Sequence, residues 1–305
     1  MTRYLLQRLL HSVFVVFGVS VIAFALVHLS GDPAATLLPI ETTPEGLAAF
    51  RRSLGLDRPL TEQYVRFLTR AIQGDLGISI RHKVPVLPIV LQRLPATLQL
   101  AVSGILVSFL IAIPLGVLAA ARRNGVIDHF SRIVSLFGQA MPTFWLGILL
   151  IMVFAVRLRW FPVVGRGGLE HLVLPAVTLG VFAAPVQIRL LRSSLLEVLR
   201  ADFIRTARAK GLLPSRVLVR HALKNAAIPF VTVSSLQIGT WLGGSLITET
   251  VFAYPGMGLL AINAIQQRDL PVVQAYVLVV AVGFVAINML VDTLYVYLDP
   301  RIRYG

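Results

Sequence analysis

The sequence predicts an all-α, polytopic membrane protein with six transmembrane helices. Three observations carry that prediction. Mean hydropathy is +0.80 with only 14% charged residues, long apolar segments recur along the chain, and Lys and Arg are sorted into alternate loops. A soluble globular domain carries about 25% charged residues, so this chain of 305 residues lacks the polar surface to be one. Its formal charge of +14 would suggest nucleic acid for a soluble protein. In a membrane protein the same excess marks loops held on the cytoplasmic side. The absence of cysteine removes any disulfide framework or thiolate metal site.

A helix needs about 20 apolar residues to cross the hydrocarbon core. The expected spans are 9–29, 96–121, 133–156, 172–188, 228–248 and 272–298. The first follows Arg3 and Arg8 and precedes Ser30, so a secretory signal peptide is the competing reading. Its apolar run exceeds the roughly 7–15 residues of a signal h-region, and His28 stands where cleavage wants a small side chain, which favours an uncleaved span. The fourth span is the shortest, 17 residues containing Pro175 and Pro185, and is expected to kink. Neighbouring helices and water can satisfy the carbonyls such prolines free.

With the N-terminus inside, the short inside segments hold 16 Lys/Arg and the short outside loops four. The other eight lie in the segment of about 65 residues after the first span, and loops of that length cross largely regardless of charge. Both termini are then cytoplasmic, as is the basic stretch at 204–229. Three regions result: 1–30, an N-terminal tail and first span; 31–95, an extracytoplasmic helical loop; and 96–305, a five-helix core with a cytoplasmic hairpin at 193–227.

In the outer loop, Thr43 is placed as an N-cap, Pro44 at the first helical position and Gly55 at the end, with Leu47, Phe50 and Leu54 on one face. A second helix carries Leu60, Tyr64, Phe67, Leu68 and Ala71 at helical spacing and ends at Gly74. Two short amphipathic helices suit a lid or docking surface; capping the bundle is the alternative. In the inner loop, "SSLLEVLRADFIRTARAKG" reads as one helix, with Ser194 and Glu197 spaced as a capping box and Gly211 as its stop. Pro214 and Ser215 open a second helix that runs into the fifth span. Ala207 and Gly211, four apart, share a face of little bulk flanked by Arg205, Arg208 and Lys210.

No catalytic or metal-ligating residue is assigned. The three lysines follow His82, Ala209 and Leu223, so no Gly-Lys-Ser/Thr phosphate loop exists. The six histidines form no pair at i, i+4, and Gly-x-Ser-x-Gly does not occur. Ionisable groups inside spans are costly and mark pathways or partner contacts. Asn288 and Asp292 share a helical face; a local cap or pair near the inner interface is the competing account of Asp292. Gln139, Gln187 and Gln237, one in each of three central spans, are candidates to line a polar path, with interhelical hydrogen bonding as the alternative. Gly239, Gly243 and Gly244 favour close helix packing.

The hairpin's "RTARAKG" and "RHALKNAAIP" resemble the EAA loop of bacterial ABC importer permeases, in the version of the dipeptide, oligopeptide and glutathione group. Arg205 stands where the general motif has Glu, and Lys224 where it has Pro; the peptide-permease group commonly shows basic residues there. Further landmarks of that group lie in order along essentially the whole chain: "GDPAA", "LGLDRPL", "GDLG", "RLPATLQL", "ETVFAYPGMG", "RDLP" and "DPRIRY". The resemblance implies a type I importer permease (MetI-like) fold and alternating-access import of small peptides. It implies a second homologous permease subunit, two ATP-binding cassette subunits and an extracytoplasmic substrate-binding protein. It implies too that this chain binds no cofactor itself, ATP and Mg belonging to the partner subunits. By position the resemblance carries over Ala207 and Gly211, with Thr206 at the other alanine position; together with Asp202, Arg205, Arg208 and Lys210 they are the expected docking surface for the ATPase.

Two alternatives stand beside this reading. Permeases for nickel or other small solutes share the outline. A membrane receptor or scaffold could instead hold its basic hairpin on anionic lipid, at about 1 kcal/mol per Lys or Arg, although lipid has no use for small Ala207 and Gly211. Nucleic acid is disfavoured because Phe203 is the one aromatic near the basic residues.

Overall fold

The computed structural model describes residues 2–29, 43–243 and 245–298. Among these the chain is helical throughout, apart from a single antiparallel bridge between Ile78 and Pro85. Landmarks at 31–35 and 299–304 lie outside the described residues, as do Gly244 and the side chains of Phe50, Leu54 and Asp292. Among the described residues, four helices are long and apolar enough to cross a membrane, or five if one bent pair counts as a single span, against the six expected. The chain divides into two compact units, 1–95 with 256–289 and 96–255 with 290–305.

In the first unit, α1 spans Thr2–Leu29, α2 Pro44–Leu54 and α3 Leu60–Ile72. α2 starts as its sequence predicts: Thr43 Oγ1 accepts from the Gly46 amide at 3.3 Å, and Pro44 sits in the first turn. Gly55 closes it at φ +71°, a left-handed conformation that costs other residues steric strain. α3 packs on α1 through polar and aromatic pairs. The Ser20 and Tyr64 hydroxyls lie 2.7 Å apart, His28 Nε2 meets Gln63 Oε1 at 2.9 Å, and Phe24 meets Tyr64 edge to face and Phe67 at a tilt. Outward, α1 leaves Leu10, Phe14 and Ile22 largely exposed, as a helix facing hydrocarbon requires. Val86 and Val90 meet Met257 and Ala264 of α11 (Met257–Gln266) and Val272 and Ala275 of α12 (Leu270–Leu298) in this unit's core.

The helix α4 runs over Val86–Ala121, 36 residues. At 1.5 Å per residue it outruns the roughly 30 Å hydrocarbon core. It begins ten residues before the predicted span because Pro88 and Pro95 do not interrupt it. Its residues from 96 onward belong to the second unit, with α5 (Val126–Ala140), α6 (Thr143–Leu150) and a π-helical continuation over Ile151–Arg157. The sequence predicts one span here, over 133–156. Instead α5 and the continuous α6 segment meet at 100°. Met141 is extended, as the steric restriction on the residue before proline dictates, and Pro142, also extended, is the N-cap of α6.

The helix α7, Glu170–Val198, is the most enclosed of the apolar helices and runs as one element. Ser194 and Glu197 therefore cap nothing, and the capping box expected there is absent: Ser193 and its neighbours continue the helix, with Ser193 Oγ donating to Leu190 O. Glycines let α7 approach its neighbours closely. A Cβ on Gly180 would lie 2.5 Å from Val107 Cγ1, and one on Gly138 2.8 Å from Pro185 Cγ. After a turn, α8 spans Asp202–Ala209. Pro214–Arg216 then leads through a π-helical stretch, Val217–Ala222, into α9, Leu223–Leu242. The predicted fifth span, 228–248, is interrupted: α9 stops at Gly243 and a separate α10 covers Leu246–Val251.

Candidate functional site

The hairpin is built by two breaks. α7 ends at Val198, Ala201 adopts an extended conformation ahead of α8, and Gly211 turns the chain at φ +74°. The apolar side of α8 is spent inside the second unit. Ile204 and Ala207 are buried with Leu191 and Leu195 of α7 and Val217 and Ala222 beyond the turn. This corrects the bare-face reading. Ala207 is turned into the chain's own core, so it does not lie on the solvent face beside Gly211. The face left to solvent carries Asp202, Arg205, Thr206, Arg208, Lys210 and Gly211. Phe203, 47% exposed, joins it and went unassigned in the sequence reading. Asp202 and Arg205 are 3.5 Å apart and nearly fully exposed, so their attraction is worth little and both remain free to change partners. A Cβ on Gly211 would meet nothing within 4 Å.

A second feature lies behind the hairpin. Asp128, three residues into α5, is completely buried. Arg192 of α7 grips it with Nε to Oδ1 at 2.6 Å and Nη2 to Oδ2 at 2.7 Å. Arg132 Nη2 adds a bond at 3.0 Å, and the backbone amide of Asn124 another at 2.9 Å. Removing the carboxylate would leave the largely buried Arg192 without its partner, the kind of loss that is destabilising for buried pairs. The sequence carried a usable signal, since Asp128 is the only acid between Asp75 and Glu170 and has Arg132 four residues on.

Several landmark stretches meet in space. Thr97 Oγ1 of "RLPATLQL" donates to Glu249 of "ETVFAYPGMG" at 3.0 Å, and Gln99 Oε1 accepts from the Tyr254 hydroxyl and from Arg166 at 3.2 Å each. Burial pushes the Tyr254 phenol above its ordinary value, so it stays a hydrogen-bond donor. In the first unit, Asp269 of "RDLP" accepts from the Ser79 hydroxyl and from the Ile80 and Arg81 amides. That carboxylate pins the turn after "GDLG", and a Cβ on Gly77 would lie 4.0 Å from Pro271.

The pore candidates are not gathered into one lining. Gln139 is exposed on α5, Gln187 is buried in α7 and Gln237 half-buried in α9, and among the described residues no hydrogen bond joins them. Among the described residues, neither amide atom of Gln187 has a hydrogen-bond partner. Asn288 is half-buried on α12, while the side chain of Asp292 lies outside the described residues. Among the described residues no three His, Asp or Glu side chains cluster to hold a metal.

Two family models account for nearly the entire chain. Residues 112–304 match the binding-protein-dependent transport system inner membrane component, and residues 1–101 match the N-terminal region of such membrane components. The chain belongs to this family. It is a multi-pass permease, an inner-membrane component of a transport system. The permease is 41% identical over its full length to the glutathione transport system permease protein GsiC of Escherichia coli O6:H1, with all of both chains covered. It is 40% identical to the dipeptide transport system permease protein DppB of Escherichia coli K12, covering 100% of this chain and 99% of that one. Its fold is similar to that in two inward-facing structures of the MetNI methionine ABC transporter. The TM-scores are 0.54 and 0.57 at 21% and 24% identity, each over 69% of this chain and 96% of that one.

Proposed function

We propose that this permease imports small peptides as one of two homologous membrane subunits of an ATP-driven ABC importer. Two ATP-binding cassette subunits power it, an extracytoplasmic binding protein feeds it, and its termini and hairpin are cytoplasmic. The observation that carries the cargo assignment is the full-length similarity, at 40% and 41% identity, to permeases named for dipeptide and for glutathione, both small peptides. ATP and Mg act on the partner chains. The sorting of Lys and Arg into alternate loops supports the orientation.

In this reading α8 is the coupling element. Its buried side, Ile204 and Ala207, fixes it to the end of α7, while Arg205, Arg208 and Lys210 are free to pair with carboxylates of the ATPase. Gly211 keeps the end of the face open. Two replacements separate conformation from docking. Asn tolerates the left-handed region that costs other residues about 1–2 kcal/mol; Glu does not, and it adds a like charge to any acidic partner surface. Gly211→Asn should retain the ATPase on co-purification and most of the uptake. Gly211→Glu should lose both while still inserting in the membrane. Unchanged uptake in the Glu variant contradicts the coupling role.

A further inference from the structure

We propose that Asp128 is a positioning residue: held by Arg192 and Arg132, it ties α5 to the end of α7, so that movement of the α8 hairpin is carried to the bend at Met141–Pro142. The inference rests on the coupling role given to α8 above.

Each link of the tie is a packed or bonded contact within the second unit. Leu191 and Leu195 of α7 share a core with Ile204 and Val217 of the hairpin, so the hairpin cannot shift without the end of α7. Arg192 projects from that same turn of α7 and holds Asp128 through two bonds of 2.6 and 2.7 Å. A fork of this kind fixes orientation as well as distance. The Asn124 amide and Arg132 Nη2 also donate to Oδ2, locking the turn before α5 to the same point. At the other end of α5, Gly138 lies against Pro185 of α7, leaving no room for a Cβ. α5 therefore moves with α7 as one piece. Beyond it, the helical ladder is interrupted at Met141 and Pro142, where the axis turns by 100°. That break is where relative motion can be taken up.

The chemistry argues for transmission over simple cohesion. An apolar pair of similar volume would hold two helices together at least as well as a buried ion pair, without the desolvation penalty. What the apolar pair lacks is a fixed relative orientation. A carboxylate bonded on both oxygens from two helices and a loop has one.

The test uses the complete transporter in proteoliposomes, with peptide uptake and ATP hydrolysis measured together. Asp128→Asn, and the double neutral variant Asp128→Asn with Arg192→Gln, should keep the ATPase bound and hydrolysing near the wild-type rate. Peptide moved per ATP should fall roughly tenfold, in the range of ordinary coupling energies between sites. Since the chain has no cysteine, Asp128→Cys with Arg192→Cys can be bridged by a short bis-methanethiosulfonate reagent in a complex otherwise freed of cysteine. Bridging should restore most of the uptake per ATP, and reductive release of the bridge should remove it again. If the single variant does not insert, the double neutral and bridged variants decide. Unchanged uptake per ATP in the double neutral variant, or a bridge that blocks transport, overturns the proposal. Loss of the ATPase itself is the signature of Gly211→Glu, so failure of docking and failure of the tie give different readouts.

Discussion

Gln187 carries both of its amide atoms into the interior of the second unit without a hydrogen-bond partner among the described residues. Each buried unsatisfied polar group costs about 1–3 kcal/mol, whereas an apolar group of similar shape costs nothing of the kind. Gln187→Leu should therefore stabilise this arrangement, raising the thermal midpoint of the purified permease by about 2 °C or more. A fall in the midpoint would mean that the amide is satisfied. The glutamines at 139, 187 and 237 were legible in the sequence as polar groups inside apolar stretches, but their directions were not. A helix of nearly uniform hydropathy gives no stripe from which to read which side faces inward. The same limit explains Ala207. Its size was plain in the sequence, but whether that size served a partner or its own core depended on Leu191 and Leu195, which precede it by more than ten residues.

At the scale of elements, turn chemistry was the most readable layer. Thr43, Pro44, Gly55, Gly74 and Gly211 act where local rules place them, because a cap or a positive φ depends on few neighbours. Helix lengths were less readable. Pro88 and Pro95 lie inside α4, and Pro175 and Pro185 inside α7, because packing overrides the local penalty there. Pro142, by contrast, does break its helix. The contact of α7 with α4 gives a prediction in which two effects compete. Gly180→Ala gains about 1 kcal/mol in helix propensity. The new Cβ, however, would sit 2.6 Å from Val107 Cβ and 3.0 Å from the Gly104 carbonyl. Neither is the far end of a flexible chain, so overpacking of about 1–3 kcal/mol wins. The variant should show a lower thermal midpoint and reduced yield of folded permease in detergent. A midpoint equal to or above wild type would show that α4 and α7 can separate freely.

For the whole molecule, composition and the order of landmark stretches carried the class, and family membership over residues 1–101 and 112–304 agrees with it. The architecture was legible as helices crossing a membrane. The break at Gly243 and the 100° turn at Met141–Pro142 were not, since both depend on contacts made by residues distant in sequence. The Asp128 tie belongs to this scale as well: it joins residues 64 positions apart, and only the folded second unit brings them together. The central claim is that the permease, with its partners, moves small peptides inward at the expense of ATP. Its most direct test is uptake of a labelled dipeptide and of labelled glutathione by proteoliposomes holding the complete complex. At least one of them should accumulate, dependent on ATP and on the binding protein. A fully assembled complex that accumulates neither peptide, yet hydrolyses ATP in response to a different solute, would contradict it.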